Sequence, residues 1–281
     1  MNPLIDAAAL RAQLAAPGMV VVDCRFELQN PAAGRAAYDR GHIPGARYAH
    51  LDQDLSRTPA ATEGRHPLPD PVAFAARLGE WGVGPDDTVV AYDDASGAVA
   101  ARLWWLLRWI GHGRALVLDG GFAAWQAAGF PVETEARTAQ PKRYPQPRPA
   151  AAAVIATADV GARQAAGDLL VDARGPVRYR GEQEPIDPVA GHVPGARNWP
   201  FSNNSANGVF RPPTDLHKDL TQLLDGRAPQ QLIAMCGSGV TACQLLLAME
   251  IAGLPGGKLY AGSWSEWIRD PKRPVATGEK P

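Results

Sequence analysis

One cysteine of this chain stands where a sulfur nucleophile is expected. Cys236 follows the apolar residues 232–235 (LIAM), opens residues 236–242 (CGSGVTA) and precedes a helix-like stretch over 244–251. This order places the sulfur on a turn from a strand into a helix. The two glycines of the turn allow positive φ and leave backbone N–H groups free to point at one spot, to which the helix adds its positive end. The pattern predicts a thiolate nucleophile rather than a buried structural cysteine.

The chain also carries an internal duplication. Three landmarks recur in the same order: residues 41–47 (GHIPGAR) as 191–197 (GHVPGAR), 23–25 (DCR) as 172–174 (DAR), and 121–125 (GFAAW) as 263–267 (SWSEW). A repeat of this length is a repeat of whole domains. The sequence therefore predicts domains over 1–131 and 151–281. Residues 132–150 are rich in proline and charge, which predicts an extended linker.

Both halves alternate short β-rich runs with helical periodicity, which is typical of a parallel sheet flanked by helices. The predicted strands are 19–22, 88–92, 115–118, 169–171, 232–235 and 258–260, and the predicted helices are 71–80, 98–110, 122–128, 157–166, 215–224 and 240–252. Residues 1–16 are predicted as an amphipathic helix. The predicted fold class is α/β, with two domains of the same architecture.

Composition narrows the classes of function. A formal net charge of −1 gives no bulk attraction to nucleic acid or to an anionic membrane, and no stretch is apolar over a membrane-spanning length. The first residues lack the basic start and apolar core of a secretory signal. Three cysteines are too few, and odd in number, for a disulfide framework, which favours a reducing compartment. We therefore expect a cytoplasmic location, with neither nucleic acid nor membrane as a partner.

The nucleophile is present in only one half. Aligning Gly97 with Gly239 places Asp94 opposite Cys236. A carboxylate cannot act as a sulfur nucleophile, so the first half is predicted to keep the fold without the chemistry.

Residues found in both halves are predicted to serve the fold. His42 and His192 belong to the repeated segments and are therefore expected to fix loops. Arg178 is different, because its counterpart in the first half is Gln29. A cation that occurs only in the cysteine-bearing half is a candidate for binding a substrate anion.

These motifs together resemble the rhodanese-like sulfurtransferases over essentially the full length of the chain. The resemblance rests on the duplicated segments, the acid in place of cysteine in the first half, residues 236–242 and residues 262–267 (GSWSEW). It implies two tandem rhodanese domains, each a central parallel sheet flanked by helices. The segment 236–241 (CGSGVT) looks like that of 3-mercaptopyruvate sulfurtransferases.

The resemblance implies a ping-pong reaction without a metal or an organic cofactor. Cys236 takes a sulfane sulfur from 3-mercaptopyruvate, or alternatively from thiosulfate, and holds it as a persulfide. A thiol, a reduced thioredoxin or cyanide then removes the outer sulfur. Loop residues Gly237, Gly239, Val240 and Thr241 are expected to bind the negative charge.

The family pattern also assigns roles to side chains. Arg178 falls where the family places an arginine that binds the donor anion. Asp52 and His66 fall where the mercaptopyruvate-type members place two partners of the loop serine, here Ser238. The three residues would relay protons while the donor loses its sulfur. From the residues alone, His66 reads equally well as an exposed loop histidine.

One departure bears on the choice of donor. Mercaptopyruvate-type members often carry a second arginine about nine residues after the first, and this chain has Asp187 there. An acid at that place is expected to repel a carboxylate. Arg180 is a candidate substitute, and both donors stay open.

The sequence also bears on three other functional classes. A cysteine phosphatase needs an arginine six positions after the nucleophile, where this chain has Ala242. A thiol-disulfide oxidoreductase needs a second cysteine three positions after the first, where Gly239 stands. A non-catalytic sulfur-carrier module stays open, although intact Cys236 and Arg178 argue against it.

Overall fold

The computed structural model describes residues 2–281, which divide into two compact units. The first unit comprises 2–57, Leu68–Ala150 and Asn207–Phe210, and the second comprises Thr58–Pro67, Ala151–Ala206 and Arg211–Pro281. Two short segments thus group with the half of the chain to which they do not belong in sequence. The internal repeat gives no sign of this exchange.

The first unit is built on a five-stranded parallel sheet in the order β1-β5-β4-β2-β3. Its strands are β1 (Leu4–Ile5), β2 (Met19–Asp23), β3 (Arg47–Tyr48), β4 (Thr88–Tyr92) and β5 (Ala115–Leu118). The central strands β2 (MVVVD) and β4 (TVVAY) are buried over four of their five residues. Such continuous apolar runs are expected where helices cover both faces of a parallel sheet.

Five helices accompany this sheet: α1 (Ala7–Gln13), α2 (Ala32–Arg40), α3 (Pro71–Glu80), α4 (Ala100–Trp109) and α5 (Gly121–Ala127). Helix α3 has the predicted bounds because its start carries a strong local signal. The side chain of Asp70 accepts hydrogen bonds from the N–H groups of Val72 and Ala73, both at 2.9 Å, and Pro71 occupies the first helical position.

The prediction of one helix over residues 1–16 is wrong. The described chain begins with strand β1, which pairs in parallel with β5, and the helix is confined to Ala7–Gln13. Asp6 separates the two elements, since its side chain caps α1 by accepting from the N–H of Ala9 at 2.7 Å. Met1 lies outside the described residues.

The second unit contains a four-stranded parallel sheet in the order β11-β10-β6-β7. Its strands are β6 (Leu169–Asp172), β7 (Arg197–Asn198), β10 (Leu232–Met235) and β11 (Lys258–Leu259), and two further short strands lie between β7 and β10 in sequence, β8 (Ser205–Ala206) and β9 (Val209–Phe210). Its helices are α6 (Val160–Ala165), α7 (Pro176–Tyr179), α8 (Pro213–Leu224), α9 (Thr241–Ile251) and α10 (Ser263–Trp267). Each unit is thus a parallel sheet with helices, which confirms the predicted fold class.

Residues 132–150 form no helix and group with the first unit. Lys142 donates its N–H to the carbonyl of Gly79, and Ala150 donates to the carbonyl of Trp109, both at 2.9 Å. The lack of helix over these residues is consistent with their prolines, and the extended linker stays a prediction.

The repeated histidines fix loops in both units, as predicted. His42 Nδ1 lies 2.8 Å from the carbonyl oxygen of Tyr38, and the imidazole ring of His42 stacks on the ring of Tyr38. His192 makes the same two contacts with Tyr179. Between residues 2 and 281, no helix is both long enough and apolar enough to span a membrane.

Candidate active site

Cys236 follows the last residue of strand β10 and is 2% exposed. Its N–H donates to Ser263 Oγ at 3.1 Å, and its Sγ accepts a hydrogen bond from the N–H of Gly239 at 3.1 Å. The backbone of the loop therefore folds back onto the sulfur. A donor in this position stabilises negative charge on sulfur.

The structure favours glycine at positions 237 and 239 for two different steric reasons. Gly239 has φ +77°, and a Cβ atom there would lie 2.4 Å from the carbonyl oxygen of Ala261. Gly237 does not have positive φ, so it makes no use of the conformational freedom that glycine allows there. Its bare Cα instead leaves room for two guanidinium groups, because a Cβ atom there would lie 3.1 Å from Arg65 Nη2 and 3.5 Å from Arg178 Nη1.

Helix α9 begins directly after the loop. Val240 is buried and Thr241 is the first helical residue. Because the helix runs for eleven residues, its first turn presents the positive end of a substantial dipole toward the loop. Cys243, the third residue of α9, donates its thiol to the carbonyl of Gly239 at 3.3 Å, so its position is that of a packed structural residue.

Ser238 and His66 form a buried pair. Ser238 Oγ lies 2.7 Å from His66 Nδ1, and the two residues are 6% and 4% exposed. Which group donates depends on the tautomer of the imidazole. His66 belongs to the segment 58–67 that groups with the second unit, so the structure brings together two residues that lie 172 positions apart.

Arg178 lies in helix α7 and is held by two acids. Its Nε and Nη2 donate to Glu184 at 3.0 and 2.7 Å, and Nη2 also donates to Asp187 Oδ2 at 3.1 Å. Burial acts to raise the pKa of Glu184, but the hydrogen bonds from Arg178 and from the N–H of Asp187 hold that pKa below its usual range. The arginine is therefore fixed in place beside Gly237.

Sequence reasoning missed Arg65 at this site. Its Nη1 donates to Asp187 Oδ1, and its side chain is 23% exposed. Arg65 lies next to His66 in sequence, and this neighbour was the only signal that could have found it. Asp187 thus bridges two arginines, Arg65 and Arg178, and its charge is countered rather than left to repel an anion.

A family model for the rhodanese-like domain matches the chain twice, over residues 6–128 and 156–270. The chain belongs to the rhodanese-like family. A Pseudomonas aeruginosa protein named "Probable 3-mercaptopyruvate sulfurtransferase" is 49% identical over 280 residues, which cover 98% of each chain. The thiosulfate sulfurtransferase of Rattus norvegicus is 32% identical over 286 residues, covering 97% of this chain and 93% of the rat protein. The crystal structure of Escherichia coli SseA, described as a 3-mercaptopyruvate sulfotransferase, superposes with a TM-score of 0.80 at 30% identity, covering 95% of this chain and 100% of SseA.

In the first rhodanese-like domain, a different residue occupies the position equivalent to Cys236. Sheet register identifies it, because Asp23 of β2 pairs with Tyr92 just as Asp172 of β6 pairs with Met235. The residue after each of these partners is Asp93 in the first domain and Cys236 in the second. The carbonyl group of Asp93 accepts from the N–H of Phe122 in α5 at 2.9 Å, and that of Cys236 accepts from the N–H of Trp264 in α10 at 3.0 Å. The glycine alignment that predicts Asp94 is therefore corrected by one position.

Asp93 fills the loop of the first rhodanese-like domain with its own side chain. Its Oδ1 accepts from the N–H groups of Ala95 and Gly97 at 2.9 Å, and its Oδ2 accepts from Val99 and Ala100 at 2.8 Å. The carboxylate is 1% exposed, whereas Asp94 is exposed. A ring of four backbone donors around a buried carboxylate is an anion site that is permanently occupied.

Two further predicted site residues have local contacts of their own. Asp52 is half-buried in a turn of the first unit, and its N–H donates to His50 Nδ1 at 3.2 Å. Its role beside Ser238 stays a prediction from the resemblance. Arg180 pairs with Glu182 at the partly exposed end of α7, at 2.6 Å, and the structure does not bring it to the cluster around Gly237.

The remaining cysteine shows no sign of reactivity. Cys24 is fully buried, and burial together with the neighbouring Asp23 carboxylate raises the pKa of its thiol well above the ordinary value. Within residues 2–281 there is no cluster of three or more histidine, cysteine or acidic side chains suited to a metal ion.

Proposed function

We propose that this chain is a sulfurtransferase that moves a sulfane sulfur from 3-mercaptopyruvate to a thiol or to cyanide through a persulfide on Cys236. One contact carries the proposal, the hydrogen bond from the N–H of Gly239 to Cys236 Sγ at 3.1 Å. A backbone donor aimed at sulfur near the start of helix α9 favours negative charge on that atom. The same environment serves the thiolate before the reaction and the persulfide after it.

In the first half-reaction the thiolate of Cys236 attacks the sulfur of 3-mercaptopyruvate. A sulfur–sulfur bond forms and the carbon–sulfur bond breaks, leaving its electron pair on the donor carbon as the enolate of pyruvate. The proton of the donor thiol passes to that carbon, so pyruvate leaves and the enzyme keeps a persulfide anion.

In the second half-reaction an acceptor thiolate or cyanide attacks the outer sulfur. The sulfur–sulfur bond to Cys236 breaks, and the cysteine returns as a thiolate. The acceptor leaves as a persulfide or as thiocyanate. Both half-reactions balance without an external oxidant or reductant.

The pair of Ser238 and His66 supports 3-mercaptopyruvate as the donor. Departure of pyruvate requires a proton at carbon, and the imidazole of His66, 2.7 Å from the hydroxyl of Ser238, can accept the thiol proton through that hydroxyl and return it to the carbon. Thiosulfate is the alternative donor by the same persulfide route. Sulfite leaves without needing a proton, so this donor requires only the loop and a cation such as Arg178.

The proposal extends to the cellular location, the acceptor and the first domain. The three cysteines are all free, which supports a cytoplasmic enzyme and a thiol acceptor such as thioredoxin. The first domain is proposed to be catalytically inactive, because Asp93 stands where the nucleophile is needed.

The decisive experiment compares the purified protein with its Cys236→Ser variant. The wild type is expected to release pyruvate from 3-mercaptopyruvate in the presence of dithiothreitol or cyanide, and mass spectrometry after donor treatment is expected to find one added sulfur atom on the peptide containing Cys236. The variant is expected to show neither at an unchanged melting temperature. Equal turnover by the variant would overturn the assignment. Sulfite released faster from thiosulfate than pyruvate from 3-mercaptopyruvate, compared as kcat/KM, would reverse the choice of donor.

A further inference from the structure

The short helix α10 holds the backbone of the cysteine loop. Its first residue, Ser263, accepts through Oγ from the N–H of Cys236 at 3.1 Å. The next residue, Trp264, donates its N–H to the carbonyl of Cys236 at 3.0 Å. The N–H of Ser265 donates to the carbonyl of Gly237 at 2.9 Å. Three successive residues of α10 therefore fix the place of the nucleophile.

The same helix also contacts the segment 58–67, which carries His66. Ser265 Oγ accepts a hydrogen bond from the N–H of Arg65 at 3.1 Å. Glu266 Oε2 accepts from the N–H of Gly64 at 3.3 Å. The two side chains thus satisfy the two backbone donors that come just before His66.

The carboxylate of Glu266 is itself held in place. Its second oxygen, Oε1, accepts from the hydroxyl of the buried residue Thr157. Just beyond the end of the helix, Arg269 Nε donates to the carbonyl of Glu63 at 3.2 Å. Residues 63, 64 and 65 are therefore all hydrogen-bonded to residues 265–269.

The contact between the segment and the helix is close enough to require glycine. A Cβ atom on Gly64 would lie 2.5 Å from the carbonyl oxygen of Gly262 and 3.0 Å from Ser265 Oγ. His66 lies two residues further along the segment, where its Nδ1 is 2.7 Å from Ser238 Oγ. A shift of the segment away from α10 would therefore lengthen the distance between the imidazole and the hydroxyl.

Helix α5 of the first unit is the counterpart of α10 and lacks both acceptors. Ser265 corresponds to Ala123, and the two differ in exposure, since Ser265 is 2% exposed whereas Ala123 is exposed. Glu266 corresponds to Ala124. The two polar side chains are therefore not needed to build a helix at this place in the fold, and they occur in the helix that meets the segment 58–67.

We propose that Ser265 and Glu266 are positioning residues for His66. They hold the segment 58–67 against the helix that also holds Cys236, so the imidazole and the sulfur share one support. The inference rests on the proposed function, since it concerns the proton transfer that 3-mercaptopyruvate requires.

The test gives α10 the residues that α5 has. In the double variant Ser265→Ala/Glu266→Ala, kcat with 3-mercaptopyruvate is expected to fall about tenfold, because proton transfer depends on the distance between the groups. Turnover of thiosulfate should fall less than about threefold, since sulfite leaves without a proton. Gly64→Ala disturbs the contact from the other side and should show the same difference between donors.

A conservative variant and a control separate positioning from stability. Glu266→Gln keeps an acceptor oxygen for the N–H of Gly64 and should retain most of the kcat that Glu266→Ala loses. Asp219→Ala removes an acid of the second unit that pairs with Arg211 at 2.8 Å, and it is expected to leave kcat unchanged. Melting temperatures identify any variant that fails to fold.

A double-mutant cycle shows whether the two side chains act through the pair of Ser238 and His66. In a Ser238→Ala protein the pair is already broken, so adding Ser265→Ala/Glu266→Ala should lower kcat with 3-mercaptopyruvate further by less than about twofold. A purely structural role would lower kcat by the same factor in both backgrounds.

The outcomes distinguish the two levels of the proposal. An unchanged kcat, equal losses with both donors, or the same factor in both backgrounds would overturn the positioning role and leave the sulfurtransferase assignment intact. A wild type that turns over neither donor overturns the proposed function. In that event the imidazole resonances of His66, assigned by comparison with His66→Gln, still decide the positioning role. They should shift in Ser265→Ala/Glu266→Ala and stay in place in Asp219→Ala, and unchanged resonances in both variants would overturn it.

Discussion

The loop after β4 and the loop after β10 leave their sheets at equivalent positions, yet each is filled differently. In the first, the carboxylate of Asp93 accepts four backbone N–H groups at 2.8 to 2.9 Å. In the second, a small thiol accepts one from Gly239 and two arginines stand at the mouth. The fold therefore makes a turn with inward-pointing N–H groups in both halves, and the turn holds a carboxylate in the first half and a thiol in the second.

A one-residue difference in loop length accompanies this divergence. Gly97 lies four residues after Asp93, and Gly239 lies three residues after Cys236. Both glycines have nearly the same φ, +79° and +77°. The longer loop lets the carboxylate reach its donors, whereas the shorter loop folds directly over the sulfur.

The largest loss of stability is expected when the carboxylate of Asp93 is removed from the first loop. Asp93→Ala leaves four N–H groups without their acceptor and should lower the free energy of unfolding by about 3 to 5 kcal/mol. Asp94→Ala, its exposed neighbour, should cost less than about 0.5 kcal/mol. Urea unfolding of both variants measures the difference, and a greater loss in Asp94→Ala would restore the alignment that matches Asp94 with Cys236.

Gly97 and Gly239 have positive φ at comparable places in the two loops and give a matched pair of variants. Gly239→Ala should lower stability by about 2 to 3 kcal/mol and abolish most activity, because the new methyl group collides with the backbone of Ala261. Gly97→Ala meets the side chain of Phe210 at 3.2 Å and should cost about 1 to 2 kcal/mol. Activity per folded molecule should survive in Gly97→Ala, and its loss there would argue against a silent first domain.

Ser238→Ala tests the pair formed by Ser238 and His66. Without the hydroxyl, proton transfer to the leaving enolate should slow, and kcat with 3-mercaptopyruvate should fall about 10- to 100-fold. Turnover of thiosulfate by the same variant should change less than about threefold, since sulfite needs no proton. Parallel losses with both donors would mean that the pair of Ser238 and His66 shapes the loop rather than moving a proton.

The smallest effect concerns the acids that hold the arginines. Because the folded-state pKa of Glu184 lies below its ordinary value of 4.5, its contribution to stability is complete above that value and is lost as pH falls through the folded-state pKa. At neutral pH, Glu184→Gln should cost about 1 kcal/mol, since the amide keeps an acceptor oxygen for the neighbouring donors and the side chain of Arg178 is 21% exposed. Unfolding curves of both proteins between pH 7 and pH 3 should converge on the acid side, and a constant gap would show that the carboxylate acts by shape alone.

Local signals were enough to predict several strands of both sheets. Strands β4, β5 and β10 have their predicted bounds because each is a short apolar run ended by turn residues. Helix α2 was missed, since Pro31 at its start makes no side-chain cap and its sequence is weakly apolar. Strands β3 and β7 have two residues each, which is too few for a periodic pattern.

Long-range placement could not be predicted from local pattern. The cysteine loop and Arg178 were named from the sequence, whereas Arg65 became visible only when the chain placed it beside Gly237. The same limit explains the choice of Asp94, because glycine spacing cannot reveal an inserted residue and sheet register can.

The exchange of short segments between the two units has a consequence for the history of this chain. A fragment that starts at residue 151 lacks 58–67, and with it the imidazole and the guanidinium that complete its own reactive turn. After a gene doubles, a copy that loses its chemistry can normally be discarded. If the first domain is inactive as proposed, this exchange gives it a structural reason to be kept, because each half contains a segment that groups with the other unit.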